Sequence, residues 1–138
     1  MGEPFRHQLR VRYGECDLQG VVFNAHYLAY FDTSVNELLR AAIGSYRTMI
    51  DQGIDVVVAE AQLRFHTSGR FEEELTLEIA VTRMGNTGIT TAHRITREDT
   101  LLVEGTLRHV LVDLRTLTKT RIPDRLREQL GPWTVDAG

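Results

Sequence analysis

The chain has 138 residues, of which 42% are hydrophobic and 25% charged, and its formal net charge is -3. This length fits one domain with a hydrophobic core of its own, and the charge balance argues against a nucleic-acid-binding protein, which needs a basic face. No apolar run approaches the roughly 20 residues that span a bilayer, and the first residues lack the apolar stretch of a signal peptide.

Cysteine usage narrows the class further. Cys16 is the only cysteine of the sequence, which excludes an internal disulfide and a multi-cysteine metal site. We therefore expect a single cytoplasmic domain over residues 1–138, with a core at about 5–130. We expect no metal, no membrane and no nucleic acid among its ligands and partners.

The first half of the chain predicts a strand, a loop and a long helix. Residues 5–13 alternate loosely like a strand, and residues 14–23 are typical of a loop. From Asn24 the apolar residues recur at three- and four-residue steps, which indicates an amphipathic helix that ends at Gly44. Asn24 is the expected N-cap of that helix. Residues 45–52 predict a shorter second helix.

After Gly53 the period of the apolar residues falls to two, which predicts strands at about 57–65, 75–82, 89–97 and 101–114. Pro123 is expected to open a short helix to Leu130, followed by a loose tail from Gly131. Short turns between strands imply antiparallel neighbours. The order predicts an α+β fold in which a curved antiparallel sheet of about five strands wraps a long central helix. The uncovered sheet edge predicts a homo-oligomer.

The loop before the long helix carries the candidate catalytic residues. Asp17 lies a few residues before a helix start, whose free N–H groups and partial positive charge can hold an oxyanion. Gly20 permits a tight turn, and the apolar run at 21–23 excludes water. A carboxylate beside an oxyanion site is the arrangement of an acyl-transfer enzyme.

This stretch resembles the signature of the hotdog-fold thioesterases of the 4-hydroxybenzoyl-CoA thioesterase and YbgC-like family. In that signature an Asp-x-x-Gly-Val-Val-aromatic loop precedes the central helix, and a tyrosine follows four residues after the aromatic. The matching residues here are Asp17, Gly20, Val21, Val22, Phe23 and Tyr27. The resemblance implies a hotdog fold, hydrolysis of an acyl-CoA to a carboxylic acid and CoA, and a homodimer or homotetramer. CoA is then part of the substrate, so no separate cofactor is expected.

The resemblance also implies roles for single residues. Asp17 would be the catalytic carboxylate, attacking the thioester carbonyl or activating water. The backbone N–H near Asn24 would polarise that carbonyl, with Phe23, Tyr13 and His26 helping to orient the substrate. Two departures bear on substrate choice: Asn24 stands where many relatives have histidine, and Leu18 stands where relatives often have a small residue or proline.

Neighbours of Asp17 have simpler interpretations. Glu15 is more readily a solvated or loop-stabilising carboxylate than a second catalytic acid. Cys16 is more readily a buried structural residue than a nucleophile, since a reactive thiol needs a base and a depressed pKa. His7, His66, His93 and His109 show no metal-ligand spacing and are expected in strands.

Candidate groups for the CoA portion are cations near strand ends and turns. They are Arg64, Arg70, Arg83, Lys119 and Arg121, with Thr87 in the 85–88 turn as a contact for the pantetheine. The absence of a G-x-S-x-G elbow excludes a serine hydrolase of that type. Two alternatives stay open on the same fold. One is a hydratase or dehydratase, against which Val22 speaks because that family pairs its aspartate with a histidine at this spacing. The other is a non-catalytic module that binds acyl thioesters.

Overall fold

A computed structural model describes residues 2–135 of the chain. Its strands are β1 (Phe5–Arg10), β2 (Ile54–Phe65), β3 (Glu74–Met84), β4 (Gly88–Arg97), β5 (Thr100–Asp113) and β6 (Thr118–Lys119). Its helices are α1 (His26–Ile43), α2 (Tyr46–Asp51) and α3 (Asp124–Leu130), with single 3-10 turns at Tyr13–Glu15 and Gly131–Trp133. None of the helices within residues 2–135 has the length and apolar character needed to cross a membrane.

The strands form one antiparallel sheet in the order β1-β3-β4-β5-β2, with the short β6 paired to β5. Register shifts at 58–60, 81–83 and 95–96 bend the strands, because a bulge raises the local twist. The predicted curved sheet around a long helix is confirmed. β6 was not predicted, because two residues are too few to show a period.

One face of α1 is buried against the concave side of the sheet, and it carries Tyr27, Tyr30, Phe31, Ser34, Leu38 and Leu39. The Phe31 ring reaches the sheet centre and stacks on His93, with ring centroids 4.4 Å apart and planes 13° from parallel. Gly105 lies beneath this stack. A Cβ there would overlap the Gln62 carbonyl oxygen and lie 2.9 Å from Phe31 Cε2. The close approach of α1 to the sheet therefore depends on glycine at 105.

Three predictions of local structure were wrong. Asn24 is not the N-cap, because its exposed side chain makes no capping bond and the helix begins after Ala25. The first strand ends at Arg10, since residues 13–15 turn back as a 3-10 helix. The chain after Gly131 is not a loose tail as far as it is described. Trp133 packs edge-on against Phe5 with centroids 5.8 Å apart, and Thr134 pairs with Val81. Residues 136–138 lie outside the described part.

Candidate active site

Asp17 lies at the tip of a tight turn that the backbone fixes. Its N–H donates to the Val21 carbonyl at 2.9 Å, and its carbonyl accepts from Gly20 N–H at 3.0 Å. Gly20 has a φ of 77°, a conformation that favours glycine. The Asp17 Oδ1 atom accepts from the Gln19 N–H at 2.8 Å, and the side chain is exposed. The carboxylate is therefore oriented but open to a ligand.

The start of α1, which Phe23 joins to the loop that holds Asp17, presents free backbone donors. Phe23 N–H donates to the Glu15 carbonyl at 3.0 Å, and His26 N–H donates to the Phe23 carbonyl at 2.8 Å. The N–H groups of Asn24 and Ala25, between them, donate to no acceptor within residues 2–135. They lie at the positive end of an 18-residue helix, where negative charge is stabilised. The backbone N–H of Asn24, which is the predicted oxyanion donor, thus has no other acceptor among the described residues.

An open groove of about 500 Å³ runs beside the carboxylate. Its walls are Tyr13, Gly14, Cys16, Asp17, Leu18, Gly20 and Phe71. Tyr13 contacts Phe71 edge-on with centroids 5.9 Å apart, yet the tyrosine is 80% exposed and Leu18 is fully exposed. Phe23 is also more than half exposed. A polar group with an apolar rim suits a ligand that carries both kinds of surface.

Glu15 lies beneath the loop rather than in the groove. Its carboxylate is buried and accepts from Arg12 N–H and Tyr30 Oη, both at 2.8 Å, and from Arg12 Nε at 3.1 Å. Burial by itself raises the pKa of Glu15, but these hydrogen bonds and the Arg12 charge together outweigh it and hold the pKa below 4.5. Glu15 is a loop-stabilising carboxylate and not a solvated one.

His26 contacts this support, and Cys16 lies between the support and the groove that it lines. His26 Nε2 lies 3.7 Å from Glu15 Oε2, and its ring contacts Tyr30 edge-on at 5.5 Å. Cys16 is half-buried, and its Sγ lies 3.7 Å from the Arg12 carbonyl. Burial, then the charges of Glu15 and Asp17, raise the pKa of the Cys16 thiol. A thiol held in that state is a poor nucleophile.

The candidate CoA cations do not converge within one chain. Arg70 pairs with Val21 and so lies against the Asp17 turn. Arg83 and the 85–88 turn with Thr87 lie at the far end of β3, roughly 30 Å along the strand from Glu74. Arg64 is on the edge strand β2, opposite Glu104. Of the two remaining candidates, Lys119 is in β6 and Arg121 pairs with Asp124 at 2.9 Å.

A second buried polar cluster was not foreseen. Thr91 Oγ1 lies 2.8 Å from His93 Nε2 and 3.1 Å from His109 Nε2, and all three residues are buried. Burial lowers the pKa of His93 to about 3, with a further contribution from His109, and lowers that of His109 to about 4. Both Nδ1 atoms lack a partner among the described residues. The i, i+2 spacing of Thr91 and His93 signalled a shared face, but nothing in the sequence signalled His109.

No group of three or more histidine, cysteine, aspartate or glutamate side chains within residues 2–135 is arranged to hold a metal ion. The two histidines that converge on Thr91 are buried in the core. The chemistry available at the candidate site is that of one oriented carboxylate, two backbone donors and an apolar rim.

The sequence is similar to those of known thioesterases. A model of the thioesterase-like superfamily matches residues 11–130. The acyl-CoA thioester hydrolase YbgC of Escherichia coli strain CFT073 is 28% identical over 120 residues, which are 86% of this chain and 90% of the relative. The acyl-CoA thioesterase YbgC of Haemophilus influenzae is 25% identical over 124 residues, 89% of this chain and 91% of the relative.

Solved structures agree in fold. A Thermus thermophilus protein, TT1821, superposes with a TM-score of 0.85 at 27% identity, covering 93% of this chain and 98% of that one. The 1,4-dihydroxy-2-naphthoyl-CoA thioesterase Slr0204 of Synechocystis has a TM-score of 0.85 at 18% identity, with 93% and 96% covered. Because the family match spans most of the chain and the architecture agrees throughout, the chain belongs to the thioesterase-like superfamily and is a YbgC-like thioester hydrolase with the hotdog fold.

Proposed function

We propose that the protein hydrolyses acyl-CoA thioesters to a carboxylic acid and CoA, with Asp17 as the catalytic carboxylate. One observation carries this assignment: the Asp17 carboxylate is exposed on a fixed turn beside a helix start whose Asn24 and Ala25 N–H groups have no other acceptor within residues 2–135. The YbgC relatives are named for acyl-CoA thioester hydrolysis, which supports CoA as the thiol carrier.

The reaction follows from these groups. The thioester carbonyl oxygen accepts from the free N–H donors, which stabilise the charge that develops when the carbonyl carbon is attacked. Asp17 acts in one of two ways: it attacks the carbon to form an anhydride that water then hydrolyses, or it takes a proton from the attacking water. The C–S bond breaks in either route, and the CoA thiolate leaves and is protonated.

Binding is proposed for the groups around this centre. The apolar rim of Tyr13, Leu18 and Phe71 contacts the acyl group or the pantetheine, and Phe23 and His26 flank the helix start. Arg70, beside the turn, is the first candidate for a CoA phosphate.

A second copy of the chain supports the rest of the site. Strand β2 is a sheet edge with apolar side chains exposed on both faces, including Val57, Val58 and Phe65 at 43%, 49% and 50%. An exposed apolar edge strand favours pairing with another strand. We propose a homodimer or homotetramer in which Arg64, Arg83 and Thr87 of one copy serve the CoA bound beside Asp17 of another. We propose that this assembly acts in the cytoplasm.

The test is a panel of aromatic, short-chain and medium-chain acyl-CoAs with a reagent that detects free thiol. The wild-type protein should release CoA from at least one of them, and Asp17→Ala should lower kcat/KM at least about 100-fold without loss of folding. Glu78→Gln is the matched control, since this carboxylate pairs with Arg6 at 3.1 Å on the outer face of the sheet. Wild-type rates in Asp17→Ala would overturn the role of Asp17.

The same panel separates the alternatives. Hydration of an enoyl-CoA without thiol release would indicate a hydratase, although Val22, at the position of that family's histidine, is buried and apolar. Binding of acyl-CoA without turnover would indicate a non-catalytic module. Chromatography with light scattering measures the assembly, and a monomer would contradict the shared site.

A further inference from the structure

We propose that Glu15 is a positioning residue for thioester hydrolysis: its buried carboxylate locks the Asp17 turn to α1 and so sets the distance between the Asp17 carboxylate and the free N–H of Asn24. This inference rests on the proposed function. It concerns a residue that lies outside the groove, so any effect on the reaction must pass through other groups.

Glu15 is joined to the chain on both sides of Asp17. Its own N–H donates to the Arg12 carbonyl at 3.0 Å, and its carbonyl accepts from Phe23 N–H at 3.0 Å. The second bond spans the whole catalytic turn, since Phe23 immediately precedes Asn24. It also occupies the Phe23 N–H, so the first free donor at the helix start is that of Asn24.

The side chain fastens the same residue to the helix. Glu15 Oε1 accepts from Tyr30 Oη at 2.8 Å, and Tyr30 is one helical turn after His26. Its other oxygen accepts from Arg12 Nε and lies 3.7 Å from His26 Nε2. One carboxylate therefore contacts the segment before the turn, the first residue of α1 and the second turn of α1. A misplacement of about 1 Å between reacting groups can cost about 100-fold in rate, which is why such a support matters.

The electrostatics argue for support and against a second catalytic acid. A buried carboxylate stays ionised only where donors converge on it, and Glu15 has three hydrogen-bond donors with the Arg12 charge beside it. The Tyr30 hydroxyl keeps its proton, because burial and then Glu15 itself raise the pKa of Tyr30. A general base would need a ligand-accessible carboxylate, which Asp17 supplies and Glu15 does not.

The experiment measures kcat and KM for wild type, Glu15→Gln, Tyr30→Phe and the double variant, with the acyl-CoA that wild type hydrolyses fastest. Glu15→Gln keeps the shape but loses the charge, and its amide N–H₂ would face the Arg12 Nε donor. We expect kcat to fall about 10- to 100-fold and KM to change less than about threefold. Tyr30→Phe should lower kcat in the same way by a smaller factor. Because both variants weaken the same support between the Asp17 turn and α1, the double variant should lose less than the product of the two factors.

Several outcomes would overturn the inference. They are a wild-type kcat in Glu15→Gln, a rise in KM alone, or multiplicative losses in the double variant. Glu15→Asp keeps the charge, so a kcat no higher than that of Glu15→Gln would also overturn the inference. If Glu15→Gln does not fold, as judged by circular dichroism, Tyr30→Phe alone decides, since it retains the charge and the Arg12 bonds. Glu78→Gln again controls for loss of a paired carboxylate. Thiol release by the wild-type protein is measured before any variant, and its absence would refute the proposed function instead.

Discussion

Two polar clusters lie beneath α1, and they differ in almost every respect. The Glu15 cluster, made of Glu15, Arg12, Tyr30 and His26, contains a buried charge with converging donors. The His93 cluster, made of Thr91, His93 and His109, is neutral, and two of its ring nitrogens lack a partner among the described residues. Successive residues of one helix, Tyr30 and Phe31, serve the two clusters, since Phe31 stacks on His93.

The two clusters differ in what they hold in place. A buried charge is stable only with nearly all its hydrogen bonds satisfied, and such a network rigidifies the segments it joins. The Glu15 cluster joins the Asp17 turn to the helix, so on the proposed function its variants should change turnover. The His93 cluster joins only sheet and helix core, so its variants should change stability and leave turnover alone. Four predictions test this division.

Gly105→Ala should break the packing over the His93 cluster. The new Cβ would overlap the Gln62 carbonyl oxygen and press on the Phe31 ring. Neither neighbour can move away easily, because one is strand backbone and the other is a ring stacked on His93. Overpacking of this kind costs about 3 kcal/mol of unfolding free energy or more. Urea unfolding measures the loss. Gly131→Ala is the control, because a Cβ there meets nothing within 4 Å and the backbone is helical. Equal midpoints in the two variants would contradict the packing argument.

This contrast also shows what the sequence could and could not predict. The period of the apolar residues predicted α1 and the four long strands, and the glycines at 14 and 20 predicted the loop that presents Asp17. The direction of the Glu15 side chain was not predictable, because no period governs a 3-10 turn of three residues. The meeting of His93 and His109 depends on the β4–β5 register, which a bulge between Ile95 and Thr96 shifts. Long-range register is set by packing and turns and has no local signal.

Acid should weaken the His93 cluster before it weakens the Glu15 cluster. The folded-state pKa values of His93 and His109 are lowered to about 3 and about 4 from 6.5, so below pH 6.5 the unfolded chain binds protons that the folded chain does not. The free energy of unfolding should therefore decrease by about 1.4 kcal/mol for each histidine per unit that the pH is lowered below 6.5. The pKa of Glu15 lies below 4.5, so the stability that its ionised carboxylate contributes persists above pH 4.5 and is lost only as the pH falls further.

Urea unfolding at pH 7.5, 6.5 and 5.5 measures this slope. His109→Gln should remove about half of it, because one of the two buried titrating groups is gone. The same slope in His109→Gln and wild type would show that other groups carry the acid sensitivity.

Tyr30→Phe should lower stability by about 2 kcal/mol at pH 7.5, because a hydrogen bond to a buried charge is lost while the charge remains. The loss should come with reduced kcat, as the position of Tyr30 between helix and turn requires. Thermal unfolding and turnover of one preparation measure both quantities. Full activity with lowered stability would move the Glu15 cluster into the same class as the His93 cluster and erase the division between them.

Thr91→Val is the smallest and sharpest test. The substitution keeps the β-branched shape and removes the one hydroxyl that both Nε2 atoms share, so stability at pH 7.5 should fall by about 1 kcal/mol. Both histidines remain, so the acid slope should persist, which separates the hydrogen bonds from the titration. Thr91 has no contact with the Asp17 turn among the hydrogen bonds of residues 2–135, so kcat should equal that of wild type. A fall in kcat comparable to that of Tyr30→Phe would mean that α1 transmits strain from core to site, and that the two clusters act as one.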